Sequence, residues 1–195
     1  MTTVTTPRGR PRDARVHAAI LAATTELVAE TGYAAMSLGA VAARARVGKD
    51  TLYRRWSGKA ELVYEAVFTT TDTAPVPDTG SLEGDLAAMT QQLIDEFSTP
   101  AAIAALPGLL ADFAADPDSR ARIRSDFLTP AKERLVDVFE RARERGESAA
   151  DVDTDLVLDA LVGTVVFRLG VLGDPPDPRL ARSIAGITAK GIEAR

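Results

Sequence analysis

The chain has 195 residues, of which 46% are hydrophobic and 5% aromatic, with no cysteine and a formal net charge of −5. That length and apolar content support a sizeable core. Thiolate chemistry and disulfides are excluded, and a reducing cytoplasm suits such a chain. The charge is segregated. Residues 1–59 carry ten Lys or Arg against four Asp or Glu (+6), and the remainder carries thirteen against twenty-four (−11). A basic N-terminal module joined to an acidic body is therefore expected, the module being the part suited to a polyanion.

Taken in order, residues 1–11 are polar and proline-containing and read as a disordered basic arm. Arg8 and Arg10 form a short pattern suited to a narrow minor groove, where the walls concentrate negative potential. The arm has no apolar stretch of the secretory kind. Helical periodicity begins at Arg12: Ile20, Thr24, Leu27, Val28 and Thr31 recur on one face, and Gly32 follows as a stop. His17, the chain's one histidine, lies early in this helix without a second ligand-type residue beside it, so neither a metal nor a catalytic role is expected.

The next stretch, residues 37–59, reads SLGAVAARARVGKDTLYRRWSGK. Ser37 is suited to cap a first short helix whose Leu38, Val41 and Ala42 share a face. Arg46, Val47 and Gly48 supply a break, and a second helix over residues 49–55 buries Leu52 while Lys49, Thr51, Tyr53 and Arg54 face outward. Cations and hydroxyls on one exposed helix suit phosphate oxygens and base edges of duplex DNA. Ser57 then caps a helix over 58–70, with Lys59 in its first turn. A cation there is disfavoured by the helix dipole unless a phosphate lies in front of it, which argues for a DNA contact.

Residues 71–80 are rich in Pro, Thr and Asp and read as a linker. A helix from 82 to about 98, capped by Ser81, carries the stripe Leu82, Leu86, Met89, Leu93 and Phe97. Pro100 and Pro107 frame a short helix ending near Phe113. A longer helical region over 118–145 must restart or kink at Pro130, and Gly146 stops it after the run ERARER. Asp151, Asp153 and Asp155 do not continue as a calcium loop, which would require Gly at 156 and Glu at 162, where Leu156 and Val162 stand. They read as anions at the start of a helix over 154–172 that is apolar on nearly every side. Gly163 and Gly170 within it would permit close helix approach. Prolines break it at 175–178, and a last helix follows to about 194. Surplus apolar surface on the last two helices, about 154–172 and 178–194, predicts a homodimer built as a four-helix bundle.

Residues 12–68 resemble the DNA-binding domain of the tetracycline-repressor (TetR) family. The resemblance rests on Val41, Ala42, Ala45, Val47, Thr51, Leu52, Tyr53, Arg54, Trp56, Lys59 and Leu62 at their spacing. It implies an all-α protein: an arm (1–11), a three-helix helix-turn-helix domain (12–57) and a larger helical regulatory and dimerisation domain (58–195). It also implies a cytoplasmic, nucleoid-associated transcriptional regulator, most often a repressor, with double-stranded operator DNA, a small-molecule effector and a second copy of itself as partners, and with no membrane and no cofactor. Thr51 and Tyr53 would touch phosphate, Lys59 would anchor the following helix to the backbone, and Lys49 with Asp50 would face base edges. Ser37, Arg46, Gly48 and Arg54 complete the expected interface. In two places the chain departs from the family pattern. Arg46 stands where glycine is frequent, and Gly48 where a capping serine is.

The effector is expected among Met89, Gln92, Leu93, Phe97, Phe113, Phe127 and Phe167, and the scarcity of charge among them favours an apolar or weakly polar molecule. A ligand-independent architectural DNA binder is the main rival reading. A helical enzyme is disfavoured because the chain lacks the nucleophile, phosphate-loop and metal-ligand motifs that would carry chemistry.

Overall fold

A computed structural model describes residues 10–68, 76–149 and 151–192, and the side chains of all of these except Arg10, Pro11, Arg12, Asp126 and Phe127. Among the described residues there is no strand. Ten α-helices follow one another: α1 (Arg10–Ala35), α2 (Leu38–Arg44), α3 (Lys49–Tyr53), α4 (Lys59–Phe68), α5 (Leu82–Phe97), α6 (Pro100–Ala115), α7 (Pro117–Ile123), α8 (Thr129–Glu144), α9 (Thr154–Val165) and α10 (Leu180–Ile192). Two π-helical segments, Arg124–Leu128 and Val166–Val171, extend α7 and α9. The all-α class is as expected.

α1 begins at Arg10, so the last two residues of the expected arm belong to a helix. Arg8 lies outside the described residues. The stop at Gly32 is real: its φ of 77° breaks α1, after which a single turn reaches Ala35. Ile20, Ala23, Thr24, Leu27 and Val28 form the buried face of α1, against which α2 and α4 rest. Thr24 is fully buried, and its hydroxyl donates to the Ile20 carbonyl at 2.8 Å, so no polar atom is stranded there.

In the body, α5 lies along α10 and meets α6 at 87°. The helix expected to end near Phe113 runs to Ala115, with Pro107 in its interior. It has sixteen residues and begins at Pro100 under a Thr99 cap. The carbonyl deprived of a partner by Pro107 belongs to Ile103, which is exposed, so water can take that bond. At the other proline a new helix does start. The π turn ahead of Pro130 carries the chain into α8, with the Thr129 hydroxyl donating to Arg124 O at 3.1 Å. Gly170 makes its close approach within this chain: a β-carbon there would run into the Leu106 side chain of α6. Gly163 faces open space.

The ERARERGE run forms a clasp. Arg141 donates to Pro77 O at 2.6 Å, and Arg145 reaches Asp85 at 3.4 Å and Glu147 at 3.2 Å. Glu147 accepts from the Leu82 N–H at 2.6 Å, and the fully buried Asp85 accepts from the Thr79 N–H at 2.6 Å and hydroxyl at 2.8 Å. The C-terminus of α8 thereby holds the start of α5 and the chain that leads into it. Arg145, with help from the Leu82 N–H, holds the Glu147 carboxyl below the usual carboxylate range. Of the three aspartates around the start of α9, Asp153 caps the helix through the Leu156 N–H at 3.0 Å and Asp155, in its first turn, pairs with Lys132 at 2.7 Å.

Candidate nucleic-acid interface

The reading head is assembled from local rules. Ser37 is extended (φ −126°, ψ 149°) and its hydroxyl accepts from the Ala40 N–H at 3.2 Å, starting α2 as a side-chain cap should. The turn closes through the Val47 N–H on Ala42 O at 2.9 Å and the Arg46 N–H on Ala43 O at 3.2 Å. Arg46 sits at φ 55°, the sole non-glycine residue in the left-handed region among those described. The turn therefore demands the conformation for which glycine is suited, and an arginine adopts it at a cost of about 1 kcal/mol. Gly48 occupies the N-cap of α3 without a side-chain hydrogen bond. α3 is two residues shorter than expected from 49–55, but Arg54 still closes it through Asp50 O at 3.2 Å.

Leu52 (1% exposed) and Trp56 fasten α3 to the core made by Met36, Val41 and Ala42. With that face buried, Lys49, Asp50, Tyr53 and Arg54 project to solvent beside the exposed Ser37, Arg46 and Gly48. Tyr53 is 59% exposed, so its hydroxyl is open to solvent on the same side as Lys49. Thr51 is half-buried, with Arg54 3.5 Å from its hydroxyl. Lys49 lies alongside Gly39, where a β-carbon would come within 3.1 Å of its Cε, so the glycine leaves the lysine its path across α2.

Not every cation of this basic module faces outward unpaired. Arg44 makes a two-pronged bond to Glu30 at 2.6 and 2.8 Å, which pulls the Glu30 carboxyl below its ordinary value. Arg55 pairs with Asp13 of α1. A third tie brings in α4: its Glu65 accepts from the Trp56 indole N–H and lies 2.9 Å from His17 Nε2 of α1, and the His17 ring stacks on Trp56 at 5.4 Å. His17 thus belongs to the clamp that sets α3 on α1.

Lys59 heads α4 as expected, but its ammonium folds back. It lies 4.2 Å from the centre of the Tyr33 ring and 3.4 Å from the Ala34 carbonyl oxygen, and burial lowers its pKa while Asp112 of α6 opposes that shift. Tyr33 itself is buried, donates its hydroxyl to Asp112, and lies flat against Gly108, where a β-carbon would collide with the ring. Burial and the Asp112 carboxylate raise the tyrosine's pKa. The start of α4 is therefore tied to α6, a link between reading head and body that α1 provides. Sequence reasoning missed Tyr33 and Asp112 because they are 79 residues apart and neither belongs to a recognisable motif.

The expected effector residues are not gathered in one place. Met89, Gln92 and Leu93 line a cavity of about 30 Å³ together with Ala131, Arg134, Leu158 and Leu161, with Arg134 3.3 Å from the Gln92 amide oxygen. Phe97 is buried against Phe68 at 4.9 Å, Phe113 lies near Tyr64 at 6.1 Å, and Phe167 is 53% exposed on the π segment after α9. The Phe127 side chain lies outside the described residues.

A short recessed helix, a tight turn and an exposed polar helix, mounted on a larger helical body, define a helix-turn-helix DNA-binding regulator. Comparison with known proteins agrees over nearly the whole chain. Residues 20–66 match the family model for bacterial regulatory proteins of the tetR family, and residues 76–187 match that for the tetracyclin repressor-like C-terminal domain. The chain is 31% identical over 188 residues to the HTH-type transcriptional regulator YdeS of Bacillus subtilis (strain 168), covering 96% of this chain and 94% of that one. It is 34% identical to the DNA-binding transcriptional repressor TetR of Mycobacteroides abscessus, covering 87% of each. The crystal structure of the TetR family transcription regulator SCO0332 superposes with a TM-score of 0.71 at 27% identity, over 92% of this chain and 99% of that one. The protein belongs to the TetR family of DNA-binding transcriptional regulators.

Proposed function

We propose that the protein is a homodimeric transcriptional repressor that reads a palindromic operator through paired α3 helices and is released by an apolar or weakly polar small molecule. The observation that carries the DNA half of this reading is α3 itself, which buries Leu52 and presents Lys49, Tyr53 and Arg54 on one open face. Lys49 and Asp50 address base edges, and Thr51, Tyr53, Ser37 and Lys59 address phosphates. The repressor reading draws support from the 34% identical relative, a transcriptional repressor. A two-fold axis would set the two α3 helices about 34–36 Å apart, one turn of duplex.

Dimerisation is supported by apolar side chains left in the open on the last two helices and the segment between them: Leu156, Phe167, Val171, Leu172 and Ile187, the last 77% exposed. Large apolar side chains exposed in number along neighbouring elements are a common mark of an interface. Effector binding is supported by the cavity among α5, α8 and α9. At about 30 Å³ it is far below the roughly 300 Å³ of the smallest drug-sized sites, so an effector enters only as those helices part. Binding would therefore be coupled to a change of shape.

Selection of bound genomic fragments, followed by binding titrations of the recovered duplex between 50 and 200 mM salt, tests the reading. A palindrome bound by a dimer, with affinity falling about 10³-fold or more over that range, is expected from six or more phosphate contacts. Recovery of sequences with no two-fold symmetry, or affinity indifferent to salt, overturns it. Thermal-shift screening against metabolites separates an effector-responsive repressor from a ligand-independent architectural binder, which no compound would stabilise.

A further inference from the structure

We propose that Asp112, on the body helix α6, is a positioning residue for the DNA-anchoring Lys59, holding its ammonium back over the Tyr33 ring and so restraining DNA affinity without touching DNA. The inference rests on the reading of Lys59 as a phosphate contact and adds what governs it. Three interactions act on the Lys59 ammonium, and Asp112 takes part in them directly or through Tyr33. The Tyr33 ring face lies 4.2 Å from Nζ, and the tyrosine hydroxyl donates to Asp112. The Ala34 carbonyl, 3.4 Å away, belongs to the same turn that Tyr33 pins in place. The third is the carboxylate charge of Asp112, which favours the ammonium form of Lys59 against partial burial.

The ring cannot slide freely. Gly108, one helical turn before Asp112, leaves just enough room for it, and any larger residue there would displace it. The seat of Lys59 is thus built from α6. A lysine that bonds a phosphate must leave that seat or share its charge with it, so whatever stabilises the seat competes with DNA. A cation held over an aromatic face is attracted by the ring quadrupole, and a nearby anion adds to that hold. Asp112 is itself exposed, so its influence is screened and is largest at low salt.

The experiment is a double-mutant cycle on the full-length protein, read by the anisotropy of a labelled duplex of mixed sequence, because a phosphate contact does not depend on base sequence. Lys59→Ala should weaken binding and lower the salt slope by roughly one per subunit bound. Asp112→Asn should tighten binding about fivefold at 50 mM salt. In the Lys59→Ala background the same change should have an effect of less than about twofold, because the general gain from removing one negative charge is all that remains. Asp112→Glu, which keeps the charge, should stay near wild type. Equal tightening by Asp112→Asn with and without Lys59, or an Asp112→Glu protein that behaves as Asp112→Asn, overturns the inference alone. A Lys59→Ala protein with unchanged affinity and salt slope overturns the assignment of Lys59 to DNA and the inference with it. Melting temperatures of the four proteins exclude a loss of folding as the source of any difference.

Discussion

Replacing Asp85 by alanine removes the acceptor at the centre of the α5–α8 clasp. Asp85 is fully buried, and it serves the Thr79 N–H at 2.6 Å, the Thr79 hydroxyl at 2.8 Å and Arg145 at 3.4 Å. Thr79 is at the surface, so its hydroxyl can turn to water. Its N–H is partly buried, and an unpaired buried donor costs roughly 1–3 kcal/mol. Arg145 keeps Glu147 at 3.2 Å, which limits the loss on that side. Adding a small cavity where the carboxylate stood, the total comes to about 3 kcal/mol. For a chain of this length each kcal/mol moves the melting temperature by about 2–4 °C, so Asp85→Ala should melt roughly 6–12 °C below wild type. The assay is a thermal melt at fixed protein concentration, since any self-association shifts apparent stability. Asp85→Asn keeps the shape and one acceptor oxygen and should lose less than half as much. An Asp85→Ala protein melting within about 2 °C of wild type would refute this account, and an Asp85→Asn protein as unstable as Asp85→Ala would show that charge matters there and not the hydrogen bonds.

Arg46 is held at φ 55°, and glycine there removes about 1 kcal/mol of left-handed strain while adding freedom to the unfolded chain. Arg46→Gly should therefore melt at or slightly above the wild-type temperature, and a fall of more than about 2 °C would mean that the arginine side chain stabilises the turn. Glu147 has a depressed carboxyl, so the stability it contributes is fully present above the ordinary glutamate value of about 4.3 and is lost as pH falls through its lower folded value. In urea titrations at descending pH, Glu147→Gln should show a shallower loss of stability below about pH 4.3 than wild type, and parallel curves would contradict that assignment.

The helix-turn-helix was legible because its determinants are local. A cap at Ser37, a break over Arg46–Val47–Gly48 and the apolar positions Val41, Ala42 and Leu52 lie within sixteen residues, and each acts over a turn or less. The strain at Arg46 was foreseeable for the same reason. The end of α6 was legible to within two residues, but why Pro107 is tolerated inside it was not, since exposure of Ile103, a tertiary fact, decides whether water can take the lost hydrogen bond. The basic count of the N-terminal module was right in sign but overstated what faces outward, since Glu30 and Asp13 occupy Arg44 and Arg55. Their pairing depends on how α1 lies across α2 and α3. The effector residues were drawn from apolar stripes, and a stripe does not say whether it lines a cavity, fills a core or lies open. Phe97 and Phe167 came from the same reasoning and have opposite surroundings.

The segregation of charge along the chain has a kinetic consequence. A molecule whose reading end is positive and whose body is negative experiences a torque in the field of a polyanion, and it turns before it touches. Collisions that would bring the body first are repelled, and those that bring α3 first are drawn in, so a larger share of encounters begins near the productive orientation. The acids of the body, which no DNA contact explains, would in this way shorten the search for the operator while adding nothing to the strength with which it is held.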